Sequence, residues 1–210
     1  MKKLVRQELK LNVSESLCKQ AKRLVKKELS TNYLTEYARL EAYASEIRSN
    51  PGSACDVQLM PQYLRDGRRV FWRMFVCFDA CRRGWINGCG PIIGMDGCFL
   101  KGPCKGQLLV AVGKDGNNHM FPVAWAIVDV EDKPNWRWFL DRLSQMLDLK
   151  GGIGLTIISD MQKGLIPAIE EALPQAEHRW CARHIYANWS KDFRGGELKQ
   201  KFWKLCLEYI

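Results

Sequence analysis

Apolar residues fall into two kinds of spacing along the chain, and the change between them lies near residue 50. Leu17, Ala21, Leu24, Val25 and Leu29 recur at helical intervals, with Lys19, Lys22, Arg23, Lys26 and Lys27 on the other faces. Ser30, Thr31 or Asn32 is placed to end that helix and cap the next. Tyr33, Leu34, Tyr37, Leu40, Ala44 and Ile47 then form a second amphipathic face. The "SNPGS" run at 49–53 is a strong stop, because Pro51 and Gly52 both break a helix. Residues 1–50 thus read as a small basic helical segment, and 51–67 as a linker.

Beyond it the period changes. Residues 70–78 are strand-like and turn helical near Asp79. "PIIGMD" at 91–96 is a short strand ending in an acid, 106–118 a second closed by a turn, and 120–131 a third. Pro122 lacks an amide donor and so confines the start of that third strand to an edge or entry position. Links this short make the three strands antiparallel. A helix follows, with Trp136, Phe139, Leu140, Leu143, Met146 and Leu147 on one face and glycines at 151 and 152 to stop it. "GLTIISD" at 154–160 is too apolar for an exposed face and reads as a central strand. A helix ended by Pro174, a short strand near His178–Cys181 and two further helices complete the chain. The predicted fold class is α/β, an RNase H-like mixed sheet flanked by helices over 68–210 and preceded by the basic helical segment.

Composition narrows the function classes. An apolar content of 47% with 26% charged residues is that of a globular protein rather than a disordered one. No apolar run is long enough to span a membrane. The net charge of +9 is concentrated: residues 1–30 carry nine Lys or Arg against three Glu. That imbalance suits a polyanion such as DNA, and equally a solvated helix face. The nine cysteines, odd in number and with Cys77 and Cys206 in apolar runs, form no obvious disulfide ladder, and no C-x-x-C pair supports a zinc finger.

The candidate chemistry lies in two acids. Asp96 ends or lies inside the first of the three strands, and Asp160 stands at the tip of the central one. In the predicted topology those two strands are neighbours, so the carboxylates converge at one edge of the sheet. Two close carboxylates repel, and a divalent cation relieves the repulsion. Mg²⁺ or Mn²⁺ fits, since such ions take oxygen ligands and are satisfied by one or two carboxylates plus phosphate oxygens. An Asp before a Gly is also an ordinary turn, and Asp115 with Gly116 reads as purely structural. A third acid is less defined: Glu170, Glu171, Glu177, Glu197 and Glu208 are candidates, none in a distinctive setting.

Cys181 and His184 have a spacing that suits two zinc ligands on one helical turn, with His178 or Cys206 to complete a set; the alternatives are a His184 packed against Trp180, or a pair that sits beside the two acids and contacts DNA or orients a phosphate. Lys101, Lys105 and Lys163 lie near the acid-bearing loops as phosphate contacts or as solvated surface. Trp136, Trp138 and Phe139 read as the side chains that dock a helix on the sheet.

The run "PIIGMDGCFLKGPCKGQLLVAVGKDGNNHMFPVAWAIVDVEDKPNWRWFL", with "ISDMQKGLIPAIEEALPQAEHRWCARHIYANW" after it, resembles the transposase domain of plant Mutator-like elements, a family that includes the far-red-response regulators derived from transposases. The resemblance covers roughly residues 68–205. It implies a cut-and-paste DNA transposase with an RNase H-like core and an Asp-Asp-Glu metal triad, performing metal-dependent strand cleavage and 3′-OH strand transfer. Asp96 takes the place of the family's first acid and Asp160 that of its second, while its Cys-x2-His signature falls on Cys181 and His184. The family's glutamate comes much later, so the expectation is a core that is C-terminally incomplete, with two of three catalytic acids. The implied cofactors are Mg²⁺ or Mn²⁺, with Zn²⁺ a second candidate. The implied partner is double-stranded DNA, as transposon ends and target, and a homo-oligomer is left open. The resemblance also implies a nuclear location, for which 19–27 would serve as an import signal. The alternative is a catalytically inactive DNA-binding or regulatory protein derived from a transposase.

Overall fold

The "SNPGS" stop does mark a change of structure, but a strand follows it rather than a linker. In the computed structural model, which describes residues 2–102 and 104–208 and leaves the side chains of 29–32 and 34 undescribed, the chain forms two compact units, 1–43 and 44–210. The first contains α1 (Lys2–Glu8), α2 (Glu15–Ala38) and the start of α3 (Leu40–Ser49). Ser14 caps α2, its hydroxyl accepting from the Leu17 amide at 3.1 Å. Two expectations change here. The helix does not end at Ser30–Asn32 but runs on to Ala38, because none of those residues breaks a helix as Pro or Gly would. Leu17, Leu24 and Val25, read as its apolar face, are exposed. The Leu29 and Leu34 side chains lie outside the described residues.

The second unit takes in the last turns of α3, where Ala44 and Ile47 are buried. Residues 54–63, expected to be linker, are strand β1 (Ala54–Tyr63), which pairs antiparallel with β2 (Arg69–Cys77). β1 is an edge strand, and its Pro61 falls in the irregular stretch between Leu59 and Tyr63, where a missing amide donor is tolerated. Helix α4 (Asp79–Gly88) follows. Its Asp79 carboxylate fills the space beside Gly52, which sits at φ +85° where a Cβ would be 2.3 Å from an Asp79 oxygen.

Strands β3 (Ile92–Phe99), β4 (Gln107–Lys114) and β5 (Met120–Val128) form the expected antiparallel meander. β3 does not end at Asp96 but continues three residues past it, held by β4 pairing through Phe99. Pro122 lies in the part of β5 that extends beyond the residues pairing with β2. The Asp115 turn is structural, as read: one carboxylate oxygen accepts from the amides of Asn117 and His119, each at 2.8 Å. Next come α5 (Lys133–Leu147), β6 (Thr156–Ser159), α6 (Leu165–Ala172), β7 (Glu177–Trp180), α7 (Ala182–Trp189) and α8 (Gly196–Glu208).

The result is an α/β fold: one seven-stranded mixed sheet in the order β1-β2-β5-β4-β3-β6-β7, flanked by helices, in which β3, β6 and β7 run parallel. Alternation along β4 sends Gln107, Leu109, Ala111 and Gly113 to a buried face. Against that face pack Trp136, Phe139, Leu140 and Leu143 of α5 and Leu165, Ala168 and Ile169 of α6. Phe75 of β2 meets Trp138 and Phe139 edge-on or tilted, with ring centres 6.3 and 5.7 Å apart. The three aromatics thus dock α5 on the sheet as anticipated. Asp132 starts this helix by accepting from the Asn135 amide at 3.0 Å, with Pro134 in the first turn. That start fixes the turn at 129–132 beside the C-terminal ends of β3 and β6, where the site lies.

Candidate metal centre

The parallel register of β3 and β6 brings the two acids together. Met95 pairs with Ser159, so Asp96 and Asp160 are the next residues along the two neighbouring segments. The C-terminal ends of parallel strands are where open α/β sheets bind ligands. Asp96 stays on β3, opposite Val110, and one of its oxygens accepts from the Gly97 amide at 2.8 Å. Asp160 is the first residue past β6, and it is half-buried.

The third member comes from α7. Cys181 precedes that helix and donates its amide to the Ser159 carbonyl at 2.7 Å, which anchors the helix start to the end of β6. One turn later, His184 Nε2 lies 3.9 Å from Asp96 Oδ2. One ligand atom each from Asp96, Asp160 and His184 lie within 4.8 Å of one another, and this is the one such grouping among the described residues. The imidazole Nδ1 is buried, with no hydrogen-bond partner among the described residues.

Of the two residues considered as a zinc pair, only the histidine lies beside the acids. His184 faces the aspartates, and Cys181 is not part of their group. His178 is engaged elsewhere, its Nε2 lying 2.8 Å from the Ser159 hydroxyl, which in turn donates to the Asp160 carbonyl at 2.8 Å. Its neighbour Trp180 packs against it edge-on, at 4.6 Å between ring centres. Lys101 and Lys105, in the loop after β3, and Lys163, in the loop after β6, are exposed.

A further acid was not anticipated. Glu131 stands in the turn before α5, and its carboxylate occupies the space beneath Gly97, where a Cβ would lie 2.6 Å from it. Trp136 Nε1 donates to one oxygen at 3.2 Å. The Gln107 amide, oriented with its nitrogen toward the acid, donates to the other at 2.8 Å. Burial pushes the Glu131 carboxyl above the usual range; the Trp136 hydrogen bond opposes this, and the charges of Asp160 and Asp96 add to it. Glu170, Glu171, Glu177, Glu197 and Glu208, the acids considered from sequence, do not join the grouping. Glu171 instead pairs with Lys133 and Arg137, and Glu177 with Arg179.

The donor set suits a divalent cation. Two aspartates supply oxygen ligands and one histidine a nitrogen, leaving most coordination positions to water or phosphate oxygen. Residues 92–188 match the family model of the MULE transposase domain. The match runs from the first residue of β3 into α7 and so contains Asp96, Glu131, Asp160 and His184. The match supports a Mutator-like transposase domain over that segment, and with it a transposase-type function. No curated protein matches the chain. Among the described residues no helix is long and apolar enough to cross a membrane.

Proposed function

We propose that the mixed-sheet unit is a polynucleotidyl-transfer core that cleaves double-stranded DNA and joins the freed 3′-hydroxyl to a target, with Asp96 and Asp160 as its metal ligands. The observation that carries this reading is the convergence of Asp96, Asp160 and His184 inside the segment that matches the transposase family. Mg²⁺ or Mn²⁺ bound there would supply Lewis-acid activation of a water or 3′-hydroxyl and stabilise the leaving oxygen of a phosphodiester. The residues themselves do the positioning. Asp96 is fixed by strand pairing and Asp160 by the turn that follows β6, so their separation is set by the sheet. His184 places a nitrogen beside Asp96 and lets the set favour Mn²⁺ as well as Mg²⁺.

Lys101, Lys105 and Lys163, in exposed loops that follow β3 and β6, suit phosphate contact, and the basic face of α2 suits a polyanion more broadly. A nuclear location would fit a DNA substrate. The test is nicking of supercoiled plasmid in Mg²⁺ or Mn²⁺ by the wild type, Asp96→Asn and Asp160→Asn. Metal-dependent nicking that falls to background in both variants is the expected result. A folded wild type that binds DNA but never nicks it would favour a regulatory, non-catalytic role instead.

A further inference from the structure

Asp160 is not on a strand but on the loop between β6 and α6, and a metal ligand on a loop needs something to hold it. Gln162 makes contacts in three directions there. Its backbone amide donates to Asp160 Oδ1 at 3.0 Å. Its side-chain Nε2 donates to the Glu131 carbonyl at 2.8 Å, crossing to the turn before α5. Its Oε1 accepts from the amides of Gly164 and Leu165, the latter at 2.7 Å, and so satisfies donors at the start of α6.

No other side chain does all of this at that length. A primary amide combines donor and acceptor at the end of a two-methylene stem; a carboxylate lacks the donor, and an apolar isostere lacks both. Space is tight as well. A Cβ at Gly164 would lie 2.6 Å from the Lys133 amide nitrogen and 2.8 Å from the Asp132 carbonyl carbon, so the loop is pressed directly on the first turn of α5. The turn it rests on also presents the Glu131 carboxylate beneath Gly97, the residue next to Asp96. A continuous chain of contacts therefore links Asp160, through Gln162 and Glu131, to the backbone beside Asp96.

We propose that Gln162 is a positioning residue that locks the Asp160 loop to the turn before α5 and so sets the spacing of the two aspartates. The inference rests on the reading of Asp96 and Asp160 as metal ligands. Gln162 itself touches no reacting atom; it acts through Asp160. Groups that orient a metal ligand from behind typically account for about 10–100-fold in metal affinity.

The experiment is calorimetric titration of MnCl₂ into the full chain as wild type, Gln162→Met, Gly164→Ala, Asp96→Asn and Asp160→Asn, each with a thermal melt. Gln162→Met keeps size and neutrality and removes every side-chain hydrogen bond. Gly164→Ala keeps every hydrogen-bonding group and forces the loop off α5. Both should weaken Mn²⁺ binding by about tenfold or more while the fold is retained. A purely structural role would lower Tm and leave the Mn²⁺ affinity unchanged. That outcome, with binding still lost in Asp160→Asn, overturns the role of Gln162 and leaves the metal centre standing. If Gln162→Met does not fold, the smaller Gly164→Ala change decides by the same criterion. A wild type that binds Mn²⁺ no better than the two aspartate variants removes the metal centre itself, and the positioning role with it.

Discussion

At the scale of single residues, the site depends on one strand register and a few side-chain contacts around it. Asp96 and Asp160 meet because Met95 and Ser159 are partners in a parallel pair, so a slip of one residue would turn one acid to the opposite face. Glu131 is the strained member. Its carboxyl titrates above the ordinary range because burial disfavours the charged form, with Asp160 and Asp96 adding like charge. The sign follows: with a raised folded pKa, its contribution to stability is complete below the unfolded value and is lost as pH rises through the folded one. Glu131→Gln keeps an acceptor for Trp136 and removes the charge. It should raise Tm at neutral pH, a gain that vanishes as the pH falls below the unfolded carboxyl's range, as measured by thermal melts across pH. A Tm unchanged or lower at neutral pH would mean the ionised carboxylate is accommodated without cost. The two aspartates were legible in sequence because each follows an apolar run. Glu131 was not, since it stands in "DVED" among three acids and gains its setting only when the turn folds under Gly97. His184 was visible as half of a Cys-x2-His pair, and of the readings open to that pair a place beside the acids is the one the fold gives its histidine: the helix turns His184 toward Asp96 while Cys181 serves the helix start through the backbone.

At the scale of elements, α5 is the member that converts sheet geometry into site geometry. Its first turn holds Glu131 through Trp136 and abuts Gly164, the turn before it receives Gln162, and its buried face fixes it on β2, β4 and β5. Trp136 is fully buried and also holds the Glu131 carboxylate. Trp136→Ala should therefore destabilise by about 3–5 kcal/mol in urea unfolding. Trp189, by contrast, belongs to an aromatic cluster of Tyr186, Phe193, Phe202 and Trp203 that joins α7 to α8 without any fully buried residue. Trp189→Ala should cost clearly less, about 1–2 kcal/mol. Equal losses would show that the α7–α8 cluster is as much a core as the sheet face. Most elements of the second unit could be read from periodicity, since the β4 alternation and the α5 stripe each have one buried face. β1 could not: "ACDVQLMPQY" mixes polar residues with a proline, and it becomes a strand because β2 offers an edge. The continuity of α2 was also hidden, because Ser, Thr and Asn suit both a cap and a helix interior.

At the scale of the whole molecule, the two units differ in kind. The first carries a long helix with Lys19, Lys22, Arg23 and Lys26 exposed, together with exposed Leu17, Leu24 and Val25. The second carries the sheet, the acids and the segment that matches the MULE transposase domain. The central claim is that Asp96 and Asp160, distant in sequence, form one metal centre on that sheet. Calorimetric titration of Mn²⁺ into the wild type, Asp96→Asn and Asp160→Asn tests it most directly. The account predicts saturable binding by the wild type that is lost in both variants while their melts stay cooperative. Binding that survives either substitution unchanged would contradict it, because a shared centre cannot be indifferent to one of its two carboxylates.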